Sequence, residues 1–209
     1  PDICQLTDLS IFKSMSNISH IILASSSPRR QQLMKEAGIA FEVRTKNTDE
    51  VYPSELKVED IPVYLAQLKA AAFKGELKAT DLLITADTIV SLHGQMIGKP
   101  HDRADAIRIL SGLSGNKHTV ITGLCLTTAC EQKSIPVFTD VYFRNLDKEE
   151  IIYYVDKYKP FDKAGAYGIQ EWIGYVGIER IDGSFYNVMG LPVQTLYREL
   201  KAFGLNMCE

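Results

Sequence analysis

The sequence predicts a mixed α/β fold, a twisted sheet that contains antiparallel strands and is flanked by helices. Three observations carry this expectation. Short apolar, strand-like runs alternate with stretches whose apolar residues recur at helical spacing. The run over residues 81–92 is apolar almost throughout, broken only by Asp87 and Thr88, and so reads as a central strand covered on both faces. Two later segments, 118–130 and 135–145, alternate on either side of a turn at 131–134, as a pair of antiparallel strands does. A chain of 209 residues can bury one large α/β core, or two small lobes that share a sheet.

The elements follow in order. Residues 1–14 (PDICQLTDLSIFKS) read differently from what comes after; they are set aside as an extension, with Met15 as the expected start and 15–209 as one domain. Ile21-Ile22-Leu23-Ala24 is the first strand. Ser25-Ser26-Ser27 leads out of it, with Ser27 suited to the N-cap and Pro28 to the first position of a helix. Leu33, Met34 and Ala37 share one face of that helix, and Gly38 supplies its stop. A short strand over 39–43 runs into a polar segment ending in Thr48-Asp49-Glu50. A helix over about 61–77 follows, with Tyr64, Leu65, Leu68 and Ala72 as its apolar stripe and Lys69 beside them.

After the 81–92 strand, His93-Gly94 turns into Met96-Ile97, and Gly98-Lys99-Pro100 ends that hairpin. Asp102 caps a helix over 103–113 whose core face is Ala106, Ile107 and Leu110. Beyond the antiparallel pair, Asp147 and Glu150 form a capping box for a helix over 149–158. The loop over 159–170 is rich in small residues, so its backbone can approach a flat ligand; a bulged strand edge would look the same. A strand near 173–181, a turn at Asp182-Gly183 and a last helix opened by Pro192 complete the chain, with Leu196, Leu200 and Phe203 facing inward.

Composition narrows the function. A net charge of −3 lacks the basic surplus of a non-specific nucleic-acid or anionic-membrane binder, while a local basic pocket for a small polyanion remains open. No apolar run is long enough to span a membrane. The four cysteines, Cys4, Cys125, Cys130 and Cys208, form no CxxC; Cys125 and Cys130 are expected on opposite faces of one strand, as reduced residues of a cytoplasmic protein. No two histidines stand at zinc-ligand spacing.

The polar groups on rigid elements are Ser25, Ser27, Arg29, Arg30, Glu50, Lys69, Asp87, Thr88, Lys99 and Gln170. A strand that feeds a helix through serines presents free N–H groups at the positive end of the helix dipole, and two arginines in the first turn add full charges; this suits phosphate groups. An ordinary capped helix with solvated arginines gives the same local pattern. Lys69 is by default a solvated helix lysine. Asp87 is the anomaly, since a carboxylate within an apolar strand is costly unless cations or donors compensate. Glu50 and Asp87 together could hold a divalent metal and orient a water, with Asp49 as the rival to Glu50. The reaction class that follows is attack of water on a phosphoryl centre.

Five segments resemble the Maf family of nucleoside triphosphate pyrophosphatases. They are Leu23-Ala24-Ser25-Ser26-Ser27-Pro28-Arg29-Arg30, Ala86-Asp87-Thr88, Gly98-Lys99-Pro100, the stretch from Asp162 to Gln170, and Val188-Met189-Gly190-Leu191-Pro192. The resemblance implies two lobes around a central cleft and hydrolysis of a nucleoside triphosphate to monophosphate and pyrophosphate with a divalent cation (Mg²⁺, Mn²⁺ or Co²⁺). It also implies a homodimer. By position, Asp87 matches the general base, and Glu50, Lys69 and Lys99 the charged groups around phosphates and metal. Arg29, Thr88 and Gln170 match positions tied to substrate choice, with the identities of the dTTP/UTP branch. Ser25, Ser27 and Arg30 complete the expected substrate-binding set. An amide such as Gln170 can both donate to and accept from a uracil or thymine edge, whereas an ionised glutamate only accepts. The alternative is a nucleotide-binding regulator of septation that does not turn its ligand over.

Overall fold

The computed structural model describes residues 18–205. The 1–14 extension, the Met15 start, Cys4 and Cys208 lie outside the described residues. Seven strands form one mixed sheet: β1 (His20–Leu23), β2 (Glu42–Val43), β3 (Asp81–Leu92), β4 (Gln95–Ile97), β5 (Lys117–Thr127), β6 (Gln132–Phe143) and β7 (Ile178–Asp182). Their order is β2-β1-β3-β5-β6-β7, and β4 pairs with β3. β1 runs parallel to β2 and β3, and every other pairing is antiparallel. The helices are α1 (Pro28–Glu36), α2 (Ile61–Ala71), α3 (Arg103–Leu113), α4 (Lys148–Tyr158), α5 (Trp172–Gly177), α6 (Phe185–Val188) and α7 (Val193–Ala202). No helix among the described residues is long and apolar enough to cross a membrane.

The central strands are covered on both faces, and alternation along each strand divides their residues between two cores. Ile21, Leu23, Leu82, Ile84, Leu124 and Leu126 enter the larger one with Leu33 and Met34 of α1, Leu110 of α3, Tyr154 of α4 and Leu196 of α7. Ile22, Leu83 and Cys125 point the other way, against Ala66 and Ala70 of α2 and against Phe73. Gly123 explains how closely α2 lies on the sheet: a Cβ there would fall 2.2 Å from the Pro62 carbonyl oxygen. The hairpin between β3 and β4 turns on His93 and Gly94, both with positive φ (51° and 77°), the backbone a tight two-residue turn demands.

Several expected details differ. α2 ends at Ala71, and its buried side chains are Ile61, Pro62, Leu65, Ala66 and Ala70; Tyr64, Leu68 and Ala72 are only half-buried. Small residues face the sheet because the helix sits so close to it. In α3 Ile109 and Leu113 join Ala106 and Leu110 in the core, while Ile107 is half-buried. The turn between β5 and β6 falls at 128–131, which places Cys130 in an exposed turn and leaves Cys125 buried in β5. The short strand expected over 39–43 is reduced to Glu42–Val43. Most of the segment expected as a strand over 173–181 is α5, and only Ile178–Asp182 is extended. Gly174 decides this locally. Its N–H bonds to the Glu171 carbonyl, and a Cβ there would meet the Ile169 carbonyl oxygen at 1.7 Å, so helical backbone folds tightly on itself where aromatic and branched residues favour a strand.

Candidate active site

A gap in the sheet creates the cleft. β1 pairs with β3 only from His20↔Asp81 to Leu23↔Ile84, and β4 takes up the same edge from Val90↔Ile97 onward. Between them, residues 85–89 of β3 have a strand neighbour only on the β5 side. A cleft of about 880 Å³ opens there. It is lined by the start of α1, Glu50, Lys69 of α2, Asp87 and Thr88, Lys99, the 162–170 loop and Gly190. Every expected site residue therefore reaches one cavity.

Asp87 and Thr88 are neighbours in β3, so they face opposite sides of the sheet. Asp87 faces α2. The Lys69 Nζ donates to Asp87 Oδ1 at 2.5 Å and lies 2.8 Å from Glu50 Oε1. The Thr85 hydroxyl, one position earlier on the same face, donates to the Ala66 carbonyl at 2.7 Å and fixes α2 where Lys69 can make this reach. Burial raises the Glu50 carboxyl, but the hydrogen bond from Lys69 and the charges of Lys69, Lys99 and Arg30 outweigh it and hold Glu50 below the ordinary glutamate value. Glu50 lines the cleft and Asp49 does not.

Thr88 faces the other side. Its hydroxyl oxygen accepts from Arg30 Nη2 at 3.0 Å and lies 2.9 Å from the Thr122 hydroxyl. Arg30 also donates from Nε to the Gly190 carbonyl at 2.7 Å and from Nη1 to Ser25 Oγ at 3.4 Å. Burial draws the Arg30 pKa below the usual guanidinium value, and Asp87 opposes that shift. Arg30 thus ties α1 to β3 and to the 190 loop while keeping N–H groups at the cleft wall. Ser27 occupies the N-cap position, but its hydroxyl makes no cap; its N–H donates instead to Ser25 Oγ at 3.3 Å. The first-turn N–H groups that a serine cap would have satisfied stay available at the helix end. Arg29 Nη1 pairs with Asp162 Oδ2 at 3.1 Å.

The loop that follows Asp162 is tightly formed. Gly165 and Ala166 both have positive φ (72° and 57°), and the Gly165 N–H donates to the Gly98 carbonyl at 3.1 Å, which joins this loop to the segment holding Lys99. Tyr167 is buried, with its hydroxyl 2.7 Å from His118 Nε2. Gln170 closes the run, and its Oε1 is buried without a hydrogen-bond partner among the described residues. Lys163 was missed by sequence reasoning as a site residue. Its Nζ lines the cleft between Asp162 Oδ1 (2.8 Å) and Glu171 Oε1 (3.2 Å). The available signal was a lysine placed next to the small residues of a close-approach loop.

Fold and cleft together define an α/β protein whose cationic and acidic groups gather where a parallel strand feeds a helix N-terminus. The chain belongs to the Maf family: the family model described as Maf-like protein matches residues 20–203. It is 56% identical over 182 residues to a protein of Bacteroides fragilis named dTTP/UTP pyrophosphatase, covering 87% of this chain and 94% of that one. A protein of Porphyromonas gingivalis with the same name is 50% identical over 187 residues, covering 88% and 94%. Among solved structures, the Ham1 protein of Staphylococcus aureus superposes with a TM-score of 0.52 at 17% identity, covering 88% of this chain and 99% of that one, a likeness of fold.

Proposed function

We propose that this protein hydrolyses dTTP, UTP and modified pyrimidine analogues to the nucleoside monophosphate and pyrophosphate. The observation that carries the reading is Lys69, whose ammonium touches both Asp87 and Glu50 in the cleft that the N-terminus of α1 also enters. The names of the relatives support dTTP and UTP among these substrates.

In this reading Asp87 takes the proton of a water whose oxygen attacks the α-phosphorus. The bond from that phosphorus to the bridging oxygen breaks, and pyrophosphate leaves with its electron pair. Lys69 and Lys99 neutralise the charge that builds on the phosphoryl oxygens, and Arg30 with the free amides of α1 holds the phosphate chain. Arg29, Thr88 and Gln170 face the remainder of the nucleotide. Lys69 holds the Asp87 carboxylate aimed into the cleft until a substrate enters.

The donor set fits a hard divalent cation. Asp87 and Glu50 each offer one oxygen to the Lys69 ammonium, and the second oxygen of each carries no hydrogen bond among the described residues. No group of three or more His, Cys, Asp or Glu suited to a metal is present among the described residues, so phosphate oxygens and water complete the set, as Mg²⁺ prefers. When bound, such an ion (Mg²⁺, Mn²⁺ or Co²⁺) supplies charge neutralisation and a more acidic water. A homodimer acting in the cytoplasm belongs to the same reading.

The test is pyrophosphate release from a panel of nucleoside triphosphates with each metal, on the wild type and on Asp87→Asn. Turnover of dTTP and UTP that disappears in the variant, with an unchanged circular dichroism spectrum, is expected. Near-wild-type activity of Asp87→Asn removes Asp87 from the chemistry, and nucleotide binding without any release favours a regulator.

A further inference from the structure

One continuous hydrogen-bonded chain links the two ends of the proposed base-reading wall. The Gly168 N–H donates to the Tyr154 hydroxyl at 2.9 Å, and that hydroxyl donates to Glu171 Oε2. The other oxygen of Glu171 lies 3.2 Å from Lys163 Nζ, which donates to Asp162 Oδ1 at 2.8 Å. Asp162 Oδ2 receives Arg29 Nη1 at 3.1 Å. Gln170 stands between the two points that Tyr154 grips, residues 168 and 171.

Tyr154 is fully buried on α4, where its ring stacks on Tyr158 with centroids 5.1 Å apart. Burial and the Glu171 carboxylate raise its pKa, so it stays a neutral donor throughout the working pH range. Gly168 makes room for the arrangement, because a Cβ there would fall 2.8 Å from the Glu171 carboxyl carbon. Neither Tyr154 nor Glu171 lines the cleft. A buried acceptor without a partner, such as Gln170 Oε1, costs free energy and would turn away to a partner if its backbone were free to move. Gripping the chain on both sides of Gln170 prevents that turn.

We propose that Tyr154 and Glu171 are positioning residues for pyrimidine selectivity: they hold Gln170 in the arrangement that reads the base. The proposal rests on the base-reading role given to Gln170 above. Steady-state kinetics with UTP, dTTP, CTP and GTP on Tyr154→Phe, Glu171→Gln, Gln170→Ala and the two double variants tests it, with thermal melting as the control for folding. Tyr154→Phe and Glu171→Gln are expected to raise KM for UTP about tenfold while kcat stays within about threefold, and to narrow the preference for UTP over CTP. In the Gln170→Ala background neither change narrows the preference further. A role confined to stability lowers the melting midpoint and leaves the KM values and the preference unmoved, which overturns the proposal, as does an additive effect in the double variants. If Gln170→Ala itself leaves the preference intact, the base-reading role fails first and the positioning role falls with it. If it shifts the preference and the other two do not, only the positioning role fails. Should Tyr154→Phe not fold, Glu171→Gln decides alone, since it keeps the side chain's shape and one acceptor.

Discussion

The carboxamide of Gln170 meets the cleft with an oxygen that is buried and unpaired, although nearly every other polar atom around it is satisfied. A uracil or thymine imide offers the N–H that this oxygen lacks. Glutamate keeps that acceptor but removes the amide N–H that can meet a base carbonyl, so Gln170→Glu is expected to lower kcat/KM for UTP and dTTP about tenfold or more. Competition assays across the nucleotide panel check this, and unchanged selectivity would place base reading elsewhere. At this scale the sequence was legible wherever a residue contradicted its surroundings. Asp87 within an apolar strand was the anomaly, whereas Lys69 read by default as a solvated helix lysine, and the cleft gathers both with Thr88. Ser27 was read through a local rule, and another local arrangement is seen instead: the Ser25 hydroxyl accepts from the Ser27 N–H and from one nitrogen of Arg30. Lys163 carried no anomaly of its own, since its meaning lies in the acids on either side of it in space.

Among the elements, α2 shows how a small residue on one strand can place a cleft lysine carried by a distant helix. Gly123 admits the Pro62 backbone, Thr85 bonds to Ala66, and one turn later Lys69 reaches Asp87. Gly123→Ala is expected to destabilise the fold by about 2–3 kcal/mol through overpacking. It should also cut kcat by about a hundredfold as Lys69 moves out of reach. A melting curve paired with UTP hydrolysis checks both, and an unchanged midpoint would mean that the helix can lift away at no cost. Long, strongly patterned elements such as β3, α3 and the β5–β6 pair were legible from spacing. The short ones were not, because a single close approach can override the propensity of a few residues. In α5 it is Gly174 against the Ile169 carbonyl, five residues earlier.

For the whole molecule, the buried imidazole of His118 links acidity to folding. Burial among Phe143 and Tyr167 pushes it down to about 4 from 6.5. In the unfolded chain it accepts a proton near 6.5; the folded protein refuses one until about 4. Its contribution is therefore fully present above pH 6.5 and is lost as pH falls toward 4. The loss amounts to about 3 kcal/mol at most. Wild type minus His118→Gln, followed by denaturant midpoints between pH 7 and pH 4.5, should show the difference shrinking as acid is added; a constant difference would exclude this ring as the source.

The sheet gap has a last consequence for how this enzyme can change over time. Acid and hydroxyl sit on adjacent positions of one extended segment, so the thickness of a single peptide plane separates the side facing Lys69 from the side facing Arg30. Losing one residue ahead of them would bring Thr88 to the place of Asp87 and present an alcohol to Lys69, and gaining one would bring Asp87 to the place of Thr88 and present a carboxylate to Arg30. Length variation is therefore barred from β3, and new substrates must be acquired by exchanging side chains in the surrounding loops.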